Sequence, residues 1–165
     1  MEQKITKEII YKGKRFDVEK RIYESGEKAY EREFVDPKDA VCVACFYRGK
    51  IIMLKHYRES INDFMIELPA GIIEKGETAA QAAERELKEE TGFSAKYIKS
   101  LGFIYPSCGY SCEKIHLFSA HGIYGEKEDD EELCDLIFMD LSEVKNMILK
   151  NEIVDAKTIS TIFKL

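Results

Sequence analysis

The chain has no apolar run long enough to span a bilayer, and its charged amino terminus lacks the apolar stretch of a secretory signal peptide. Both absences point to a cytoplasmic protein with no membrane partner. Basic residues are not in excess: 25 Lys and Arg against 31 Asp and Glu give a formal charge of −6. That balance argues against a nucleic-acid backbone as the main partner. It leaves a nucleotide open, because a bound cation can locally reverse the sign of a site. Nor do the cysteines form an even set. Five of them, in a chain without an export signal, read as reduced thiols rather than a disulfide framework. Cys42 and Cys45 are spaced Cys-x-x-Cys, but they lie in an apolar run at 40–47 that reads as a strand. Residues three apart on a strand face opposite sides, so this pair does not chelate. Cys108 and Cys112 have no second ligand pair to complete a zinc site. Cys134, His56, His116 and His121 are scattered through strand-like stretches as packing or surface residues. No internal repeat, low-complexity tract or flexible linker divides the 165 residues, a length sufficient for the chain to bury its own core.

What the chain has is concentrated in residues 71–93, Gly-Ile-Ile-Glu-Lys-Gly-Glu-Thr-Ala-Ala-Gln-Ala-Ala-Glu-Arg-Glu-Leu-Lys-Glu-Glu-Thr-Gly-Phe. Gly76 allows a turn, Thr78 and Gln81 form a capping box, and Gly92 stands where a helix C′ glycine belongs. The spacing predicts a helix over 79–91. Glu86 and Glu90 then lie one turn apart on one side, with Glu89 on the adjoining flank. Ala79, Ala82 and Ala83 share that side and Leu87 borders it, so the acids overlap the apolar stripe. Glu84 with Lys88, and Arg85 with Glu89, make i,i+4 pairs that leave Glu86 and Glu90 without a partner on their own helix. Two close, partly desolvated carboxylates must protonate, find a base or bind a cation. A hard divalent ion such as Mg²⁺ or Mn²⁺ suits oxygen ligands. From spacing alone, a metal site and a set of structural ion pairs both remain open.

The flanking sequence reads as strands at 4–11, 16–23 and 30–35, the first two joined in a hairpin around Lys12, Gly13 and Lys14. Further strands are expected near Val41, at 51–57, 95–105, 113–121 and 133–139. Ser142 is expected to cap a helix, and Asp155 or Thr158 a final short one.

Gly71, Glu77, Arg85, Glu86, Leu87, Glu89, Glu90, Gly92 and Phe93 match, position for position, the signature of the Nudix hydrolases, which this segment therefore resembles. Several segments outside it are similar to those of ADP-ribose pyrophosphatases: Arg32-Glu33-Phe34-Val35 followed by Ala40-Val41, His56-Tyr57-Arg58, Glu67-Leu68-Pro69-Ala70-Gly71, and Asp155-Ala156-Lys157-Thr158. The resemblance implies an α/β fold, an α/β/α sandwich with a mixed sheet and an amino-terminal antiparallel strand extension. The extension is expected at 1–36, as a dimerisation element, and the hydrolase domain at 37–165. The implied metal ligands are Glu86, Glu89 and Glu90, with the carbonyl of Ala70. Gly71, Glu77, Arg85 and Gly92 are implied structural residues of the motif, Glu77 pairing with Arg85 to hold the loop on the helix.

Arg32 and Arg58 are implied substrate contacts, and a guanidinium fork does match phosphate oxygens at two points. The alternative for each is a surface ion pair, with Glu31 or Glu33 beside Arg32 and Glu59 beside Arg58. Glu67 is placed either to hold Arg58 or to meet a ribose. Glu113 is expected in the cleft or in a surface pair with a lysine. The acidic run at 126–132 has a default reading as a solvated loop. In the family such a loop supplies a catalytic glutamate, and the register of the next strand favours Glu131 or Glu132. One departure stands out: Cys108 occupies the position where the ADP-ribose group usually has proline, between Ser107 and Gly109. The implied reaction is metal-assisted hydrolysis of the pyrophosphate of ADP-ribose to AMP and ribose 5-phosphate by a homodimer. The alternatives are another nucleotide sugar or a dinucleotide as substrate, or a non-catalytic module that senses such a nucleotide.

Overall fold

The computed structural model of the protein describes residues 4–25, 28–125 and 134–165. The chain forms two compact units, Met1–Asp39 with Tyr105–Lys114, and Ala40–Ile104 with Ile115–Leu165. The first unit thus takes in a segment that a division at residue 36 assigns to the second.

In the first unit, β1 (Lys4–Lys12), β2 (Phe16–Ser25) and β3 (Lys28–Pro37) form an antiparallel sheet in that order. The turn between β1 and β2 is closed by the Gly13 amide donating to Asp17 Oδ1 at 3.2 Å. Segment 105–114 is fastened to β3, the Val35 amide donating to the Tyr110 carbonyl at 2.8 Å and the Cys112 amide to the Val35 carbonyl at 2.9 Å. Its bend is tied by the Ser111 amide donating to the Ser107 carbonyl at 2.9 Å, so the loop closes on itself around an exposed Cys108.

The second unit runs β4 (Ala40–Tyr47), β5 (Lys50–Arg58), β6 (Asp63–Glu67), β7 (Ala70–Ile72), α1 (Ala79–Thr91), β8 (Phe93–Ser94), β9 (Tyr97–Ile104), β10 (Ile115–His121), β11 (Tyr124–Gly125), β12 (Cys134–Met139), α2 (Leu141–Leu149) and α3 (Ala156–Ile162). Seven strands make one mixed sheet in the order β12-β5-β4-β10-β9, with β6 added to β5 and β7 to β4. Only β4 and β10 run parallel within it; the other pairings are antiparallel. β8 and β11 form a separate two-stranded ribbon.

β4 is buried on both faces, and its alternation divides the core. Val41, Val43 and Cys45 pack with Ala82, Ala83 and Leu87 of α1. Cys42 and Ala44 pack on the other side with Val144 of α2 and Ile162 of α3. The second unit is therefore an α/β/α sandwich, and the two cysteines of the Cys-x-x-Cys pair sit in opposite halves of its core. Burial pushes both thiols up, to about 12. One helix start differs from the sequence expectation. Asp140, not Ser142, is the N-cap of α2; its side chain makes no capping bond, and its Oδ2 accepts from Lys50 Nζ at 2.8 Å.

Candidate active site

The segment from β7 to the end of α1 is built as a loop that closes back on its helix. Thr78 Oγ1 accepts from the Gln81 amide at 3.3 Å while Gln81 Oε1 accepts from the Thr78 amide at 2.9 Å, a complete capping box. Gly92 ends the helix with φ 74°, left-handed, and its carbonyl accepts from Lys88 Nζ at 2.9 Å. Between these ends Arg85 acts as a hub. Its Nε and Nη2 grip the two Glu77 oxygens at 2.8 and 3.0 Å. Nη2 also donates to the Ile72 carbonyl at 2.9 Å, and Glu77 Oε2 accepts from the Glu74 amide at 2.9 Å. One guanidinium thus ties loop, strand end and helix together.

Nη1 of Arg85 turns to the acids, meeting Glu86 Oε1 at 2.7 Å and Glu89 Oε2 at 2.9 Å. Glu86 therefore does have a partner on its own helix, its sequence neighbour, contrary to the expectation from helical spacing. An i,i+1 pair is not on one face, but the guanidinium is long enough to lie across both. Glu90 has none from the helix; its Oε2 accepts from the Ala70 amide at 2.8 Å, bringing the end of α1 onto β7. Gly71 is where these elements approach most closely. A Cβ built there would overlap the Glu86 carboxylate, so only glycine leaves that group its place.

The electrostatics follow from this packing. Burial raises the Glu90 carboxyl, the Ala70 amide opposes it and the Glu86 charge adds to it, leaving Glu90 at about 7. Glu86 is also pushed up by burial, against the pull of Arg85. Arg58, at the end of β5, draws Glu90 down, so its charge is felt at the acids. Arg58 itself is held by Glu67, Nε to Oε1 and Nη2 to Oε2, at 2.6 Å each. Of the readings open for these two residues, this is the one in which Glu67 holds Arg58; no pair of Arg58 with Glu59 is needed.

The second unit thus gathers Arg58, Glu67, Ala70, Gly71, Glu77, Arg85, Glu86, Glu89, Glu90 and Gly92 around the β7–α1 segment. Arg32 and Glu113 belong to the first unit. Arg32 Nη1 donates to the Glu31 carbonyl at 2.8 Å, with its guanidinium 5.2 Å from the Tyr30 ring centre. The Glu113 amide donates to Ser111 Oγ at 3.1 Å. Glu131 and Glu132 lie outside the described residues.

The family model described as NUDIX domain matches residues 36–162. The chain belongs to the Nudix family. It is a Nudix hydrolase. It is 38% identical over 164 residues to a protein of Bacillus subtilis (strain 168) named ADP-ribose pyrophosphatase, covering 95% of this chain and 88% of that one. It is 37% identical over 134 residues to a protein of Bacillus methanolicus named methanol dehydrogenase activator, covering 78% of this chain and 72% of that one. Its fold matches a crystal structure of ADP compounds hydrolase with a TM-score of 0.85 at 24% identity, covering 99% of this chain and 92% of that one.

Nudix hydrolases generally use divalent metal ions. Among the described residues no three His, Cys, Asp or Glu side chains stand together as a ready ligand set. One oxygen each of Glu86 and Glu89 accepts from Arg85, and one of Glu90 from the Ala70 amide. The donor chemistry nonetheless suits a hard dication. Glu86 and Glu90 are oxygen donors on one helix side, and both are pushed up by burial. A cation would relieve that cost, and the glycine at 71 leaves the Glu86 carboxylate room beside β7.

Lys157 stands in a segment that carries the resemblance, Asp155 to Thr158, but the sequence assigns it no role. Its ammonium bonds Glu67 Oε2, 90 positions away. No local pattern announces a partner at that separation.

Proposed function

We propose that this Nudix hydrolase cleaves the pyrophosphate bond of ADP-ribose, releasing AMP and ribose 5-phosphate. The observation that carries the substrate is the 38% identity, over 95% of the chain, to a protein named ADP-ribose pyrophosphatase. The full set of acids on α1 supports catalysis over a sensing role. Glu86 and Glu90, with Glu89 and the Ala70 carbonyl, would hold the metal, for which Mg²⁺ is the first choice and Mn²⁺ the second. When bound, a divalent ion neutralises phosphate charge and lowers the pKa of water.

The protein's own groups supply the rest. Arg58 presents its guanidinium to the diphosphate and favours the doubly charged substrate over a neutral sugar. Arg85 holds Glu86 and Glu89 in place through one hydrogen bond to each. Glu131 or Glu132 accepts the proton of the attacking water. A homodimer in the cytoplasm, with the strands of the first unit as the contact, completes the reading.

The test is Mg²⁺-dependent hydrolysis of ADP-ribose beside ADP-glucose, GDP-mannose, NADH and diadenosine polyphosphates. Release of AMP from ADP-ribose is expected, with Glu90→Gln slower by at least about 100-fold, the upper end of what loss of a metal-site partner costs. Faster turnover of another compound would move the substrate and implicate the Cys108 loop. Tight nucleotide binding without turnover of any of them would sink the enzyme reading in favour of a sensor.

A further inference from the structure

Arg58, Glu67, Asp155 and Lys157 form a chain of four charges whose members differ in exposure. The Glu67 side chain is 1% exposed and Lys157 14%, whereas Arg58 is 31% exposed. Glu67, Lys157 and Asp155 are thus an interior mount, and Arg58 is the end that reaches solvent. The mount is fixed from α3. Asp155 caps that helix, its Oδ2 accepting from the Thr158 amide at 2.9 Å, while its Oδ1 meets Lys157 Nζ at 3.0 Å. Thr158 Oγ1 accepts from the Leu68 amide at 2.9 Å, locking the backbone next to Glu67. Lys157 then fixes the Glu67 side chain itself, bonding the same Oε2 that receives Arg58 Nη2.

A buried ammonium is costly unless paired, and Lys157 is paired on both sides. Its two partners, Glu67 and Asp155, are both inward carboxylates, and it is less exposed than Arg58 (14% against 31%), so the part we assign it passes through Glu67. Burial would lift the Glu67 carboxyl, but the Arg58 hydrogen bond and the Lys157 charge outweigh it and hold it below the usual carboxylate range. An arginine side chain has rotamer entropy to lose on meeting a ligand. A guanidinium already clamped at two points has lost most of it beforehand.

We propose that Lys157 is a positioning residue: through Glu67 it sets the Arg58 guanidinium in place for the substrate's diphosphate. This rests on the reading of Arg58 as a diphosphate contact. The C-terminal Asp-Ala-Lys-Thr segment is then a functional part of the site, its lysine and threonine holding the carboxylate and the backbone on which Arg58 is mounted.

The experiment is a double-mutant cycle read by calorimetric binding of α,β-methylene ADP-ribose, which is not hydrolysed, to wild type, R58A, K157M and R58A/K157M. Lys157→Met is expected to weaken binding by about tenfold, as loss of one pre-organised side chain would. The double variant is expected to bind no more weakly than R58A. In ¹⁵N spectra of the ligand-free protein, the Arg58 Nε–H signal, assigned by its loss in R58A, should be sharp in wild type and broaden or vanish in K157M. If R58A binds as wild type does, the diphosphate reading fails. If R58A weakens binding but K157M does not, or if the two effects simply add, the positioning proposal fails and the diphosphate reading stands. Should K157M not fold, Lys157→Gln, close in volume and keeping a donor, carries the same test.

Discussion

Glu90 sits where a carboxylate is expensive, and the expense has a measurable pH signature. Its folded pKa of about 7 lies above the unfolded value of 4.5. A raised folded pKa means that the native state keeps the proton after the unfolded chain has lost it. Stability from this group is therefore fully present below pH 4.5 and lost as pH rises through 7. Other groups titrate in the opposite sense, Glu67 among them, so the test is a difference. In metal-free protein, wild type should lose about 2–3 kcal/mol relative to Glu90→Gln between pH 4.5 and 8, by urea unfolding. Adding Mg²⁺ at pH 8 should close most of that gap. Gly71→Ala is the second residue-scale prediction. The new methyl overlaps the Glu86 carboxylate, so it should cost about 1–3 kcal/mol in thermal unfolding, as overpacking does, and weaken Mg²⁺ binding measured by titration. A stable variant with native metal affinity would show that Glu86 is free to move away.

At the scale of elements, the ends of the helices matter more than their middles. The capping box of α1 is exposed, so Thr78→Ala should cost about 1 kcal/mol, or roughly 2–4 °C in melting temperature for a chain of this size. Thr158 of α3 is fully buried and receives the Leu68 amide. Thr158→Val keeps the shape but orphans that N–H, and should cost more, about 1–3 kcal/mol. Equal losses in the two variants would refute the distinction between a wet cap and a dry one. Local elements such as these were readable beforehand wherever the signal is local. Thr78, Gln81 and Gly92 announce α1 at both ends, and the apolar run at 40–47 announces β4. The start of α2 is not decided locally, because Asp140 and Ser142 are about equally good N-caps and the sequence nearby does not choose between them. The short β7, β8 and β11 carry no period long enough to show.

At the scale of the whole molecule, the proposed homodimer predicts a sedimentation mass of two chains at working concentration. A monomer with full activity would rule out a required partner. The sequence by itself determined the Nudix helix, its turn, its acids and their common side, because capping, helical period and glycine spacing act within a few residues. It also determined that Cys42 and Cys45 face apart, since strand alternation is local. Only the tertiary structure decided which charges pair. Glu67 with Lys157, the Leu68 amide with Thr158 and Asp140 with Lys50 are each joined across 90 positions. Burial selects the first two, because an enclosed polar group without a partner is costly. Asp140 and Lys50 meet in the open, where β12 ends beside the start of β5. In each case the packing of the sheet and its helices decides, not any neighbour in the chain.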